Sequence, residues 1–163
     1  MATSAIQAST RYFDVGTTKI YFLPAVASGS LIPTRAEMNA GTDLSPEVAE
    51  VDGWSVASEQ IETPDFGTRF VSQIPGRISA EDSSLTMYSD QEGDDVRELL
   101  PRDTTGYIMW LDGGDTAGNR ADVYPVKVTS LSKMRSAEKN AAMIKVSFAI
   151  TADPGEDVTV PAP

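Results

Sequence analysis

No cysteine and no histidine occur anywhere in the 163 residues. The first absence rules out disulfides, thiolate nucleophiles and cysteine-ligated metals. The second removes the side chain most used as general base, zinc ligand and near-neutral pH switch. Positive charge is scarce: 13 Lys and Arg stand against 24 Asp and Glu, a formal net charge of -11. Nucleic-acid binders gain much of their affinity by neutralising phosphates, so this balance opposes such binding. Long apolar runs are missing as well. The longest, residues 20–27, is interrupted by Pro24 and falls far short of the roughly 20 residues a spanning helix needs. The first seven letters, Met-Ala-Thr-Ser-Ala-Ile-Gln, hold neither a basic start nor an apolar stretch. Neither a signal peptide nor a membrane partner is expected.

What is present reads as one β-rich domain. Hydrophobic residues make up 40% and charged residues 23%, a globular balance rather than a disordered one. Towards the C-terminus Val146, Phe148 and Ile150 alternate with Lys145, Ser147, Ala149 and Thr151. That period of two is the signature of a half-buried strand. Upstream, Val123, Val126, Val128 and Thr129 supply β-branched residues for a partner strand, and the polar, basic stretch 132–140 joins the two. Further strands are expected over 17–23, 54–61, 68–74 (ended by Pro75-Gly76), 77–80, 85–88 and 106–111. One helix is expected over 89–100. Ser89 and Glu92 match a capping box, and Val96, Leu99 and Leu100 form an apolar stripe before Pro101. Residues 1–14 read as an N-terminal arm, 28–53 as a long loop rich in Gly and Pro, and 153–163 as a tail lying loose or strapped onto a neighbour. The sum is mainly β: a β-sandwich or small barrel of about seven strands with one flanking short α-helix.

Charge is unevenly distributed. Residues 37–65 contain Glu37, Asp43, Glu47, Glu50, Asp52, Glu59, Glu62 and Asp65 and no Lys or Arg. Residues 127–145 contain Lys127, Lys133, Arg135, Lys139 and Lys145 against Glu138 alone. One segment facing the other on a neighbouring copy would account for this. Two solvated faces, or pairing inside one subunit, would account for it too.

Catalytic patterns fail on context. Asp65-Phe66-Gly67 spells the metal-binding tripeptide of protein kinases, but the glycine-rich loop, the strand lysine and the catalytic loop are missing. Ser130 and Lys133 match Ser-x-x-Lys, yet they sit at a strand end and not at a helix start. The carboxylate pairs Glu81-Asp82 and Asp94-Asp95 fall in a turn and at an exposed helix start, with nothing to drive their pKa values apart. Asp112, Asp115 and Asp122, with Asn119, do not space as a calcium loop. No catalytic, cofactor-binding or metal-binding residue is assigned, and no enzyme activity is expected.

The order of features carries more. A Thr-Lys-Ile-Tyr-Phe-Leu-Pro strand precedes Pro33-Thr34-Arg35-Ala36-Glu37-Met38-Asn39-Ala40-Gly41-Thr42-Asp43-Leu44. Next come Gly53-Trp54 and Thr63-Pro64-Asp65-Phe66-Gly67, then the acidic helix and a Gly-Tyr-Ile-Met-Trp strand. Asp122-Val123-Tyr124-Pro125-Val126-Lys127-Val128 and a closing Lys-Val-Ser-Phe-Ala-Ile strand complete the series. From about residue 13 to 153 this resembles the tail tube (major tail) proteins of tailed bacteriophages. The resemblance implies a homo-oligomer: hexameric rings stacked into a hollow tube through which the genome leaves the head. It implies tape-measure, tail-terminator and baseplate proteins as partners, and a virion location after assembly in the bacterial cytoplasm. It also implies an acidic lumen, along which DNA passes without specific binding. Loop 28–53 then becomes the candidate ring-to-ring joint and 132–140 its basic counterpart. The candidate inter-subunit contacts are Arg35, Glu37, Asp43, Glu47, Glu50, Asp52, Trp54, Lys133, Arg135 and Lys139. A virion decoration or adhesion β-module, and the tube subunit of a phage-tail-like contractile injection particle, are the alternatives.

Overall fold

The computed structural model describes residues 3–163; Met1 and Ala2, the start of the expected arm, lie outside the described residues. Strands hold 43% of the chain and helices 6%, so the mainly β expectation holds. In chain order the elements are β1 (Lys19–Leu23), α1 (Arg35–Asn39), β2 (Thr42–Asp43), β3 (Val48–Asp52), β4 (Val56–Thr63) and β5 (Ser72–Ala80). They continue with β6 (Ser83–Tyr88), α2 (Val96–Leu99), β7 (Thr105–Leu111), β8 (Arg120–Met134), β9 (Met143–Ile150) and β10 (Gly155–Thr159). Antiparallel pairing gives a main sheet in the order β2-β1-β7-β8-β9-β6-β3, with β10 also on β8. Strands β4 and β5 form a separate two-stranded ribbon.

The alternation in β9 does what its period requires. Ile144, Val146 and Phe148 enter a core shared with Leu85, Met87, Ile108, Tyr124, Val126 and Val128. In β1, β7 and β8 the other face is buried too: Leu23, Met109, Leu111, Ala121 and Val123 pack with Met38 of α1 and with Val158 and Val160. Strands covered on both sides need apolar residues at successive positions, which explains the dense runs at 20–23 and 107–111.

The main core is anchored by Trp54. Gly53 and Trp54 both have positive φ, 81° and 67°, and this sharp bend turns the indole inward. A side chain at Gly53 would run into the Asp82 carbonyl oxygen and come within 2.9 Å of Ser83 Cα, so glycine is required there. The Trp54 ring meets Trp110, Tyr124 and Phe148 at centroid distances of 5.5, 5.5 and 5.4 Å. Its Nε1–H donates to Ser84 O at 3.1 Å, and the Tyr124 hydroxyl donates to Trp54 O at 2.8 Å.

Four expected boundaries change. Segment 28–53 is not one long loop, since it contains α1, β2 and β3. Thr34 and Glu37 close a reciprocal capping box at α1, a Thr-x-x-Glu pattern visible in the sequence. The helix expected over 89–100 shrinks to Val96–Leu99. Asp90 diverts the presumed cap into a turn by accepting from the amides of Glu92 and Gly93, and Asp95 caps instead. Pro75-Gly76 does not end a strand: it lies at the irregularity in the β4–β5 register, where a missing N–H is tolerated. The tail is not loose, because β10 pairs with β8 of its own subunit and delivers Val158 and Val160 to the second core.

Candidate assembly surface

The β4–β5 ribbon pairs from Val56↔Ala80 to Thr63↔Ser72. Ile61, Phe66, Phe70, Val71, Ile74 and Ile78 are exposed on it, Phe66 wholly so. Ile61 and Ile74 stand opposite one another. A two-stranded hairpin by itself is marginal in water, and large apolar side chains left exposed in such numbers mark an interaction site. The tip at 64–71 is nevertheless built locally: Asp65 Oδ1 accepts from the amides of Gly67 at 2.7 Å and Thr68 at 3.0 Å. The Asp65-Phe66-Gly67 triplet is thus a turn that presents Phe66. The arm before Asp14 has no regular structure from residue 3 onward and exposes Ile6, Tyr12 and Phe13.

Several residues expected at subunit contacts are occupied inside the subunit. Arg35 grips Asp115 through Nη1 at 2.7 and 2.9 Å and donates from Nη2 to Pro161 O at 2.6 Å. Glu37 accepts from the amides of Ala27 and Thr34, both at 2.7 Å, and these bonds hold its carboxyl below the usual range. Asp43 lies 3.6 Å from Lys19. Trp54 is 9% exposed and belongs to the core; the sequence supplied the right residue with the wrong surroundings.

The remaining candidates are on the surface. Glu47, Glu50 and Asp52 are exposed on and before β3, an edge strand of the main sheet. Asp52 reaches Lys145 only at 4.0 Å. Lys133, Arg135 and Lys139 are exposed at the end of β8 and in the segment before β9, and among the described residues they make no ion pair. The ribbon was the missed feature. Its signal was Ile61, Phe66, Phe70, Ile74 and Ile78 in a stretch too polar to form a core strand.

Two of the carboxylates weighed from the sequence, Asp95 and Asp115, are held by arginines of the same subunit. Asp95 takes a bidentate ion pair from Arg97, Nε to Oδ1 and Nη2 to Oδ2, each 2.7 Å, and this holds its carboxyl well below the ordinary range. A general acid needs the opposite shift. Asp115 is held by Arg35, and Asp122 accepts from the Asp157 amide at 2.8 Å. No cluster of His, Cys, Asp or Glu suited to a metal occurs among the described residues. No helix of the described residues is long and apolar enough to cross a membrane.

The fold recurs in solved structures. A chain of the extended PVC sheath/tube terminator, from an extracellular contractile injection system, superimposes with a TM-score of 0.58 at 12% identity, covering 89% of this chain and 96% of that one. A chain of the anti-feeding prophage (AFP) baseplate gives 0.55 at 10% identity, with 94% and 95% covered. One from the extended PVC sheath-tube complex gives 0.54 at 13%, with 82% and 84% covered. At these identities the likeness is one of fold. Among curated proteins none matches the sequence. The family described as phage tail tube protein matches residues 6–163, nearly the whole chain, and the chain belongs to that family.

Proposed function

We propose that copies of this chain close into rings, expected to be hexameric, that stack into the hollow tube of a phage tail, the conduit for genome ejection. The observation that carries this reading is the β4–β5 ribbon, apolar and exposed, set apart from the main sheet. It replaces segment 28–53 as the ring-to-ring joint. The basic tip 132–140, with Lys133, Arg135 and Lys139, meets the acidic edge of Glu47 and Asp52 on an adjacent copy. Arg35, Glu37, Asp43 and Trp54 shape the subunit from within.

The net charge of -11 suits a wall along which DNA slides without binding. The role is structural, with no chemistry performed. Tape-measure, terminator and baseplate proteins are the expected partners, and assembly takes place in the host cytoplasm. Because the fold also occurs in chains of contractile injection systems, a tube working inside a contractile sheath is the second reading.

Replacing residues 62–73 by a short Gly-Ser turn tests the joint. Electron microscopy of the purified proteins should show long hollow filaments for the natural sequence and separate rings or subunits for the variant. Full-length tubes from the shortened chain would overturn the ribbon as the joint.

A further inference from the structure

The main sheet is left open on one side. Strand β2 covers only Tyr21 and Phe22 of β1, and β3 pairs with β6 alone. Between the uncovered start of β1, strand β3 and the turn at Asp14–Gly16 lies a groove of ≈ 560 Å³. Its apolar lining includes Val15, Ile20, Val48, Val51 and Trp110. The indole Nε1 of Trp110 is buried and has no hydrogen-bond partner.

The rim is acidic. Asp14, Glu50 and Asp112 line the groove and make no ion pair among the described residues, while the one cation there, Lys19, faces Asp43. Burial, and then the nearby carboxylates of Asp122, Asp14 and Asp157, push the Asp112 carboxyl up.

A segment of matching chemistry exists elsewhere on the same chain. The ribbon tip presents Phe66 and Phe70 on either side of Arg69, two exposed aromatic rings and one cation. We propose that this groove is the socket for the ribbon tip of a second copy, with Phe66 and Phe70 entering it and Arg69 meeting Asp14, Glu50 and Asp112. The proposal rests on the stacking reading above and adds the receiving surface to it. An aromatic anchor in a pocket, ringed by charges that set register, is the arrangement that concentrates binding energy at interfaces.

The absence of cysteine makes the contact directly testable. Two full-length single variants, Thr68→Cys at the tip and Ala49→Cys on the groove wall, both alter exposed positions and should keep the natural melting temperature. Mixed, assembled and oxidised, they should yield a covalent dimer that neither gives alone, and the double variant should yield a ladder of multimers. As a second measurement, Arg69→Glu should raise the critical concentration for assembly about tenfold, and Asp112→Lys with Glu50→Lys should restore it in part. Filaments that form normally without the mixed dimer would overturn the socket and leave the stacking reading intact. A natural chain that never forms filaments would overturn both.

Discussion

Trp54 shows how much of this fold rests on one side chain. The positive-φ bend at Gly53-Trp54, the Ser84 carbonyl and the Tyr124 hydroxyl all serve to place its ring. Burial pushes the Tyr124 phenol up to about 12, so it remains a donor to Trp54 O throughout the physiological range. Trp54→Ala should cost about 3–5 kcal/mol of stability by cavity formation, read as a lower urea midpoint. A loss below about 1 kcal/mol would mean the ring is not the anchor. Asp95 supports a pH prediction. Its ion pair with Arg97 depresses the folded-state pKa below the unfolded value of about 3.9. The stabilisation is therefore complete above about pH 4 and is lost as the pH falls from there towards the folded value. Asp95→Asn keeps a side-chain cap but drops the ion pair. Its melting temperature should lie below that of the natural chain at pH 7, and the gap should narrow in strong acid. A gap that stays constant with pH would contradict this account.

The elements that were legible in the sequence are those with a plain period. In β9, Val146, Phe148 and Ile150 all pack in or against the main core, as their alternation predicts; β7 was found from its apolar density. The elements that were hidden owe their form to distant partners. Strand β10 is acidic and flanked by prolines, and nothing local says that Val158 and Val160 fill the second core above Val123. The 89–100 helix misled because its capping-box letters compete with Asp90, whose short carboxylate satisfies nearby amides in a turn. Of the proposed assembly surface, the charge of segment 132–140 was legible in the sequence, whereas the ribbon's exposed isoleucines and phenylalanines resembled ordinary strand residues. Removing residues 155–163 tests the assignment of β10. The second core loses Val158 and Val160, and stability should fall by about 3 kcal/mol. An unchanged denaturation midpoint would show that the tail is not part of the fold.

As a whole the molecule is strongly anionic, and most of its exposed large apolar side chains lie on the ribbon and the arm. Self-repulsion at a net charge of -11 keeps copies apart unless complementary patches meet. Reversing Lys133, Arg135 and Lys139 together to Glu should therefore weaken assembly more than folding. Its melting curve should match the natural one while its filaments become fewer and shorter; normal filaments in moderate salt would exclude the charge contact. The most direct test of the tube itself is sedimentation velocity of the full-length natural protein across a concentration series. Self-assembly predicts that rings and then very large polymers appear above a critical concentration. A single 17.4 kDa species at every concentration would contradict it.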